Sequence, residues 1–521
     1  DVVKFPPPVK GFDLFYEQQF RNFDQNYWLP VDMRVKGLIK IKFPGIEFPA
    51  INFTQLSRIT DYQINTELPD SLYDNDNVFM VDSVAIQDDS LFNKKANVVP
   101  LSDEETEAYR AIDSTQTLEE AFKPSGALAG LVDNDEEDGA FGLMSSIPGE
   151  LNPTFRFNRV DEFHGGLSYE KRFFDRRISL GSTGGYSTGY DAFNYESELR
   201  VWPLPKTRRF ILAGSYYKQT DTRYTSSLFS MPFTSFQPLL GAEDYFDYFL
   251  NEGFGIRTGY QFPGGDVTLR MNYRNEDHSS LTKNTEYDLL GRSPFRRINP
   301  AINPGDLNSL TWKIELGEGG KNENFDVTGS SGATLAIEHS GDYLNSSFDF
   351  TRYTFNATYR IPTLFRRRFV PNTLDLNIRG GTFTGDLPLQ RFGAVDASLS
   401  SFNRFGALKT LKNRPYDGEH YFSFTLEHNF RTIPFEILGL DWPVERGWGL
   451  IAFGGAGRTW ISDDRLTQLQ STRSFIPRHP ENLHSEIGFS LNGIFSLFRV
   501  DVAYRVDDPS VFFGFGVARL F

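Results

Sequence analysis

Seven histidines and no cysteine bound the chemistry this chain of 521 residues can host. The histidines are His164, His278, His339, His420, His428, His479 and His484, and no two form the His-Glu-x-x-His spacing that puts a metal-binding pair on one helix face. Without cysteine there is neither thiol catalysis nor a thiolate metal site. In Gly181-Ser182-Thr183-Gly184-Gly185 the serine stands in the wrong place for a Gly-x-Ser-x-Gly elbow, in a strand-and-loop context. A membrane-embedded hydrolase could use His420 or His428 beside a serine at an outer rim. Alternation puts His428 on an apolar face, so histidines at a rim or in packing are the favoured reading. The run Asp133-Asn134-Asp135-Glu136-Glu137-Asp138 resembles a calcium loop, but its twelfth position is Met144 and Gly139 is displaced from the turn. A solvated acidic linker fits it better. The chain is therefore read as non-enzymatic, with no cofactor and no metal.

What the chain does contain is strands. In residues 497–506, Phe498, Val500, Val502, Tyr504 and Val506 share one face, and Arg499, Asp501, Ala503 and Arg505 share the other. A tight link, Asp507-Asp508-Pro509-Ser510, leads to residues 511–521, where Val511, Phe513, Phe515, Val517 and Phe521 oppose Gly514, Gly516 and Ala518. Similar alternation recurs from about residue 152 onward. In residues 352–360, Tyr353, Phe355, Ala357 and Tyr359 oppose Arg352, Thr354, Asn356, Thr358 and Arg360. In residues 421–430, Phe422, Phe424, Leu426 and Phe430 oppose Tyr421, Ser423, Thr425, Glu427 and Asn429.

A soluble sandwich alternates too, but a sandwich of ~300 residues tends to split into domains. Here one pattern runs for about 360 residues, and its polar face carries Arg and Glu in strand after strand. The expectation is an all-β fold, a transmembrane antiparallel β-barrel with the apolar face toward lipid and the polar face toward a wet lumen. Fifteen strands can be traced. Single-chain bacterial barrels use even numbers, so about 16 are expected, with the missing one in 219–250 or 276–309. Composition agrees: aromatics are 15 % although mean hydropathy is −0.40. No apolar run reaches the ~18–20 residues of a membrane helix. A net charge of −15 argues against a nucleic-acid partner.

Ahead of the barrel (151–521), residues 1–95 read as a small periplasmic β-rich region punctuated by proline. Residues 96–150 read as a helix opened by the capping box Ser102-Asp103-Glu104-Glu105, followed by the acidic linker. Asp1 follows no signal-like segment, as expected of a mature or truncated exported chain. With Phe521 at the periplasmic rim, the links at 384–420 and 461–484 are long and outer, while the link at 493–497 is short and inner. Arg366, Arg367 and Arg368 then fall on an inner turn, either meeting lipid phosphates or simply solvated. Arg519 falls on the lipid face by parity, close to the inner rim.

Two stretches carry a family resemblance. Residues 101–114, with Leu101-Ser102-Asp103-Glu104-Glu105, Tyr109 and Asp113-Ser114, resemble a segment of a Bacteroidota outer-membrane barrel family of unknown function. So do Leu426-Glu427-His428-Asn429-Phe430 and Ile433-Pro434-Phe435. That family normally carries a carboxypeptidase-regulatory-like domain, which would precede Asp1. This barrel type is in turn similar to the BamA/TamA assembly superfamily. The resemblance implies a C-terminal barrel signal at Phe513, Phe515, Gly516 and Phe521. It also implies an outer loop folded into the lumen, held by an Arg-Gly-aromatic motif against an Asp on a nearby strand. The chain departs from that motif. The strand reads Phe453-Gly454-Gly455-Ala456-Gly457, and the loop offers Arg404-Phe405-Gly406 and Asn413-Arg414-Pro415, so Arg404 and Arg414 are the lumen-loop candidates and the lock itself is unsupported. The implied role is envelope biogenesis or a subunit of a larger outer-membrane complex, with lipid and other envelope proteins as partners. A solute or substrate channel is the alternative, and a lipid hydrolase a third.

Overall fold

A computed structural model describes residues 9–59, 62, 64 and 151–519, apart from 25, 44–45, 48–49, 175–176, 205–208, 225, 227, 292–295, 318–330, 365–370 and 496. The capping-box helix, the acidic linker, Arg366, Arg367, Arg368 and Phe521 lie outside the described residues. The chain divides into two compact units.

The N-terminal unit is built on a sheet of β1 (Val9–Phe23), β2 (Tyr27–Phe43), β3 (Ile46–Glu47) and β4 (Ile51–Arg58). The long central strand β2 pairs antiparallel with both β1 and β4. A register shift beside Phe20, opposite Pro30, marks where proline withholds a ladder donor.

The second unit contains one antiparallel sheet of sixteen strands. In chain order they begin with β5 (Leu151–Asn158), β6 (Glu162–Phe173), β7 (Ile178–Ser187), β8 (Ala192–Val201), β9 (Phe210–Thr222), β10 (Tyr248–Gln261) and β11 (Val267–Ser280). Then come β12 (Gly305–Gly317), β13 (Gly332–Ser340), β14 (Phe350–Thr363) and β15 (Asn372–Gly385). Four short strands, β16 (Gly393–Val395), β17 (Ala397–Ser398), β18 (Leu408–Lys412) and β19 (Tyr416–Gly418), pair among themselves in the next link. The wall resumes with β20 (His420–Arg431), β21 (Gly449–Trp460), β22 (His484–Ile494), β23 (Phe498–Arg505) and β24 (Ser510–Val517).

The number sixteen agrees with expectation, but the strand missing from the tracing is β5, not a strand in 219–250 or 276–309. Pro153 interrupts its pattern, and proline is tolerated there because β5 is an edge strand. Between β9 and β10 lie two single-turn helices, α1 (Met231–Thr234) and α2 (Phe236–Leu239). The link between β11 and β12 has no strand among its described residues.

Side-chain exposure sorts the faces as the alternation requires. Phe513, Phe489, Ile487 and Tyr359 are exposed, whereas Arg499, Asp501, Glu427 and Asp375 are buried. A curled sheet with this outward apolar face is suited to lipid, because lipid offers no partner to a polar side chain. No helix of the described residues is long and apolar enough to cross a membrane. Residues 223–247, 281–304, 386–419 and 461–483 form the long links, all at one rim, the one expected from sequence to face outward. The inner link at 432–448 departs from the expected short turn: it holds α3 (Ile433–Ile437) and α4 (Asp441–Glu445). The outer link at 461–483 carries α5 (Asp463–Arg473).

Candidate functional site: the occupied lumen

The polar face of the wall is covered from within by the link between β15 and β20. Its 3-10 turn, Leu389–Arg391, sends Arg391 to Glu276 of β11 (2.9 Å) and Glu338 of β13 (3.1 Å). Arg352 of β14 donates to the Arg391 carbonyl at 3.1 Å. Asp396 accepts from Arg379 of β15 (2.6 Å) and from the Tyr245 hydroxyl (2.7 Å). One link thus touches walls from β11 round to β24, which it can do only from the concave side of a curled sheet.

The tightest anchorage is at β18. Lys409 Nζ hydrogen-bonds Glu427 of β20, with both side chains buried. The main-chain N–H groups of Lys409 and Thr410 both donate to the Glu486 carboxylate of β22, at 2.8 and 2.7 Å. Glu427 also receives Arg499 at 2.9 Å and Arg519 at 3.1 Å. Burying four such charges is costly singly, but Asp375, Glu427, Glu486 and Asp501 stand against Lys409, Arg499, Arg519 and Arg360, so the cluster is nearly neutral.

Glycines admit the loop. A Cβ on Gly457 would lie 2.8 Å from Val395 Cγ1 and 3.2 Å from Leu408 Cδ1, and one on Gly455 would lie 3.1 Å from Leu408 Cδ2. Gly455 and Gly457 of β21 thus let apolar loop residues approach the wall. The buried wall carboxylate that meets the loop is Glu427 of β20, and its loop partner is Lys409.

The candidates from sequence have separate surroundings. Arg404 donates to the Leu228 carbonyl and stacks over Phe229 at 5.9 Å. Arg414 lies 3.9 Å from Asp417 and over Phe475 at 5.7 Å. The structure does not bring them together. Phe513 and Phe515 point out of the wall, while Gly516 faces inward against Asn403. Arg519 is corrected: it is fully buried and turned inward to Glu427 and Asp375. Strand β24 ends at Val517, so parity no longer governs residue 519; Asn492 instead holds its main chain at both N–H and C=O (2.9 Å each). Lys409, Glu486 and Arg499 were not singled out from sequence, although alternation had already placed Glu427, Arg499 and Asp501 on the polar face.

Above the loop, the outer links are tied by a second buried ionic cluster. Arg159 reaches Asp244 (3.1 Å) and Asp247 (2.6 Å), and Arg223 reaches Asp247 and Asp417 (2.8 Å each). Arg297 joins at Asp247 and at Glu243 (3.1 Å). Burial, with Arg159 beside it, pushes Arg297 down to about 9, which still leaves it cationic at neutral pH. The inserted link is held to the wall from β11 to β24. On the β5–β11 side a polar cavity of about 660 Å³ remains, lined by Glu170, Arg172, Glu198, Arg257, Arg274 and Glu276 among others.

Gly185-Tyr186-Ser187-Thr188-Gly189 has the Gly-x-Ser-x-Gly spacing, which sequence reasoning missed; its serine ends β7, away from any strand-to-helix elbow, and is buried beside His164. His420 bonds Thr382 of the adjacent β15 at 2.9 Å, and His428 bonds Thr363 of β14, two strands away, at 2.8 Å. Ser187 lies 3.0 Å from His164, but its hydroxyl donates to Asp161 at 2.9 Å, so the proton a base would remove is committed elsewhere. Among the described residues there is no metal-competent group of His, Asp and Glu.

No protein-family model matches the chain, and no curated protein matches it. Among solved structures, BamA from Haemophilus ducreyi lacking POTRA domains 1–3 is 12 % identical, with a TM-score of 0.40 over 70 % of this chain and 69 % of that one. CdiB from Acinetobacter baumannii is 11 % identical, with a TM-score of 0.33 over 71 % of this chain and 60 % of that one. CdiB from Escherichia coli is 10 % identical, with a TM-score of 0.35 over 68 % and 59 %. The chain spans about 60 % of the length of the two CdiB proteins.

Proposed function

We propose that this chain spans a Gram-negative outer membrane and acts there as a non-enzymatic component in envelope biogenesis or of a larger membrane complex, not as an open pore. The observation that carries the reading is the lumen link itself: Lys409 and Glu427 are both buried, and the link is held to the wall from β11 to β24. An open channel needs a continuous wet path, and here the polar face on one side is paired with protein. On this reading the N-terminal sheet lies in the periplasm, and lipid and other envelope proteins are the partners. Phe513, Phe515, Gly516 and Phe521 serve as the terminal signal for membrane assembly. Arg366, Arg367 and Arg368 are either lipid-phosphate contacts or a solvated turn.

The polar cavity supports a second reading, transport of a substrate through the β5–β11 side. Conductance of the purified protein in a planar bilayer separates the two. The first expects no large steady conductance, and such a conductance would overturn it. Mild-detergent purification tests the complex role: failure to retain any partner under any mild condition counts against it.

A further inference from the structure

A turn at the inner rim of such a wall is ordinarily short, yet residues 432–448, between β20 and β21, fold into α3 and α4. Both helices end at fixed corners. Gly439 takes a left-handed φ of 66° after α3; its N–H donates to the Glu436 carbonyl at 3.1 Å, and the Leu440 N–H donates to the Phe435 carbonyl at 2.9 Å. Gly447, at φ 67°, ends α4 in the same way, with the Gly447 N–H on the Val444 carbonyl and the Trp448 N–H on the Pro443 carbonyl, 2.9 Å each. These paired bonds form a Schellman stop, in which glycine supplies the left-handed residue. The backbone of the link is therefore set, and what it presents is apolar. Ile433 and Pro443 are buried, whereas Ile437 and Leu438 are 79 % and 69 % exposed and Leu440 and Trp442 are half-exposed.

The Trp442 ring is held in place. Its centroid lies 4.6 Å from that of Trp448, edge to face at 77°, and the Arg446 guanidinium sits 4.5 Å over it. Tryptophan beside a cation suits a membrane–water interface, where the indole body meets the acyl edge and its N–H stays among wet headgroups. The link carries Glu436, Asp441 and Glu445 against Arg446, so apolar burial, not attraction to anionic headgroups, has to hold it there. Three other turns of this rim point the same way. Phe174, Leu364 and Phe495 each follow the last residue of a strand that runs to it, β6, β14 and β22. All three are exposed and adopt a left-handed φ, of 52°, 47° and 50°. Bulky side chains are rare in that conformation. Water around a turn gives no reason to prefer them to glycine or asparagine, whereas a lipid layer does.

We propose that α3 and α4 form an interfacial foot that lies in the headgroup layer of the leaflet at the inner rim, with the lipid surface as its partner. Ile437, Leu438 and Leu440 enter the edge of the acyl layer, and Trp442 with Arg446 stays at headgroup level. Continuity with the outward face of the wall selects lipid as the occupant. The foot begins where the outward row of β20 ends at Phe430, and α3 lies against β20 and β21. The apolar surface of the foot thus adjoins the face that meets the bilayer. The inference rests on the wall crossing a bilayer, and the experiment below reads the wall and the foot separately.

The chain has no cysteine, so one introduced thiol carries one probe. Leu438→Cys places a polarity-sensitive fluorophore on the foot, Val502→Cys on the outward face of the wall, and Asp508→Cys on an exposed turn at the other rim. Each labelled full-length chain is reconstituted in vesicles of phosphatidylethanolamine and phosphatidylglycerol. Quenching is read with lipid brominated on the acyl chain near the glycerol and, separately, with iodide on both sides of the membrane. The probe at 438 is expected to be quenched by the brominated lipid and protected from iodide, as at 502 and unlike 508. Ile437→Asp with Leu440→Asp, which keep the buried Ile433 and Pro443, are expected to lower lipid quenching at 438 several-fold and to leave that at 502 unchanged. A 438 probe open to iodide and insensitive to brominated lipid, while 502 is quenched, overturns the foot and leaves the membrane-spanning wall intact. Protection of 438 that appears only in native outer membranes makes a protein the occupant and overturns it too. Absence of lipid quenching at 502 overturns the membrane reading, and the foot with it.

Discussion

Lys409 and Glu427 meet inside the lumen as a buried ion pair between an inserted loop and the wall strand β20. Glu427 is shared: Arg499 and Arg519 also reach its carboxylate, at 2.9 and 3.1 Å. Removing the carboxylate therefore strands Lys409 and takes one of two acidic partners from each of Arg499 and Arg519, which keep Asp501 and Asp375, whereas removing Lys409 leaves two cations to balance Glu427. Glu427→Gln should destabilise the folded barrel by about 3–5 kcal/mol, the usual cost of stranding a buried charge. Lys409→Met should cost less. The temperature at which the folded band is lost on a gel ranks the two, and equal temperatures would refute the shared-anchor description.

Gly457 tests the close approach of loop to wall. Gly457→Val puts atoms where Val395 and Leu408 now sit and should cost about 1–3 kcal/mol by overpacking. It should also make the loop cleavable by protease added from the outer side. Gly454→Ala, whose Cβ would come no closer than 3.4 Å to any neighbour, should leave both properties unchanged.

At the outer mouth, Asp247 is the hub, because Arg159, Arg223 and Arg297 all meet it. Asp247→Ala should therefore lower thermal stability more than Arg159→Ala, which leaves Asp247 with two partners. Planar-bilayer recordings of Asp247→Ala should also show more frequent brief openings than the parent.

Val502 points out of the wall in the middle of β23, and its neighbour Asp501 points in. Val502→Arg should cost about 2–4 kcal/mol if the position lies near the bilayer midplane. Val502→Leu should be near neutral. Reversible unfolding in lipid vesicles measures both.

The outer turn between β23 and β24 has an acid limb. Burial alone would raise the Asp507 carboxyl, but hydrogen bonds from Arg505 and from the Ser485 N–H outweigh it and hold the group at about 2. Its folded value lies below the ordinary ~3.9, so its stabilisation is full above that value and is lost as pH falls toward 2. Exchange of the Ser485 amide should quicken over that window, and Asp507→Asn should remove the pH dependence.

Much of the wall was legible because a strand reveals its faces locally. Phe422 against Ser423, or Val500 against Asp501, needs no distant partner to be assigned. The site was harder. Glu427 and Asp501 could be placed on the polar face, but not their fate, since water or protein can cover that face equally well by alternation. The family motif was a poor guide for the same reason. It pointed to Arg404 and Arg414, while the buried ion pair to the wall is made by Lys409, and it is Leu408 and Val395 that rest on Gly455 and Gly457.

By itself the sequence determined fifteen of the sixteen wall strands through their two-residue periodicity, the outward apolar face and which links are long. Each follows from neighbours along the chain. The tertiary structure alone decided which outer link enters the lumen, that Lys409 finds Glu427 across 18 residues, that Arg519 turns inward once β24 ends, and that residues 401 and 403 of that link bond the main chain of Phe515. Those contacts join segments that no local period relates. They depend on the curl of the whole sheet, which brings wall strands from β11 to β24 around one inserted loop.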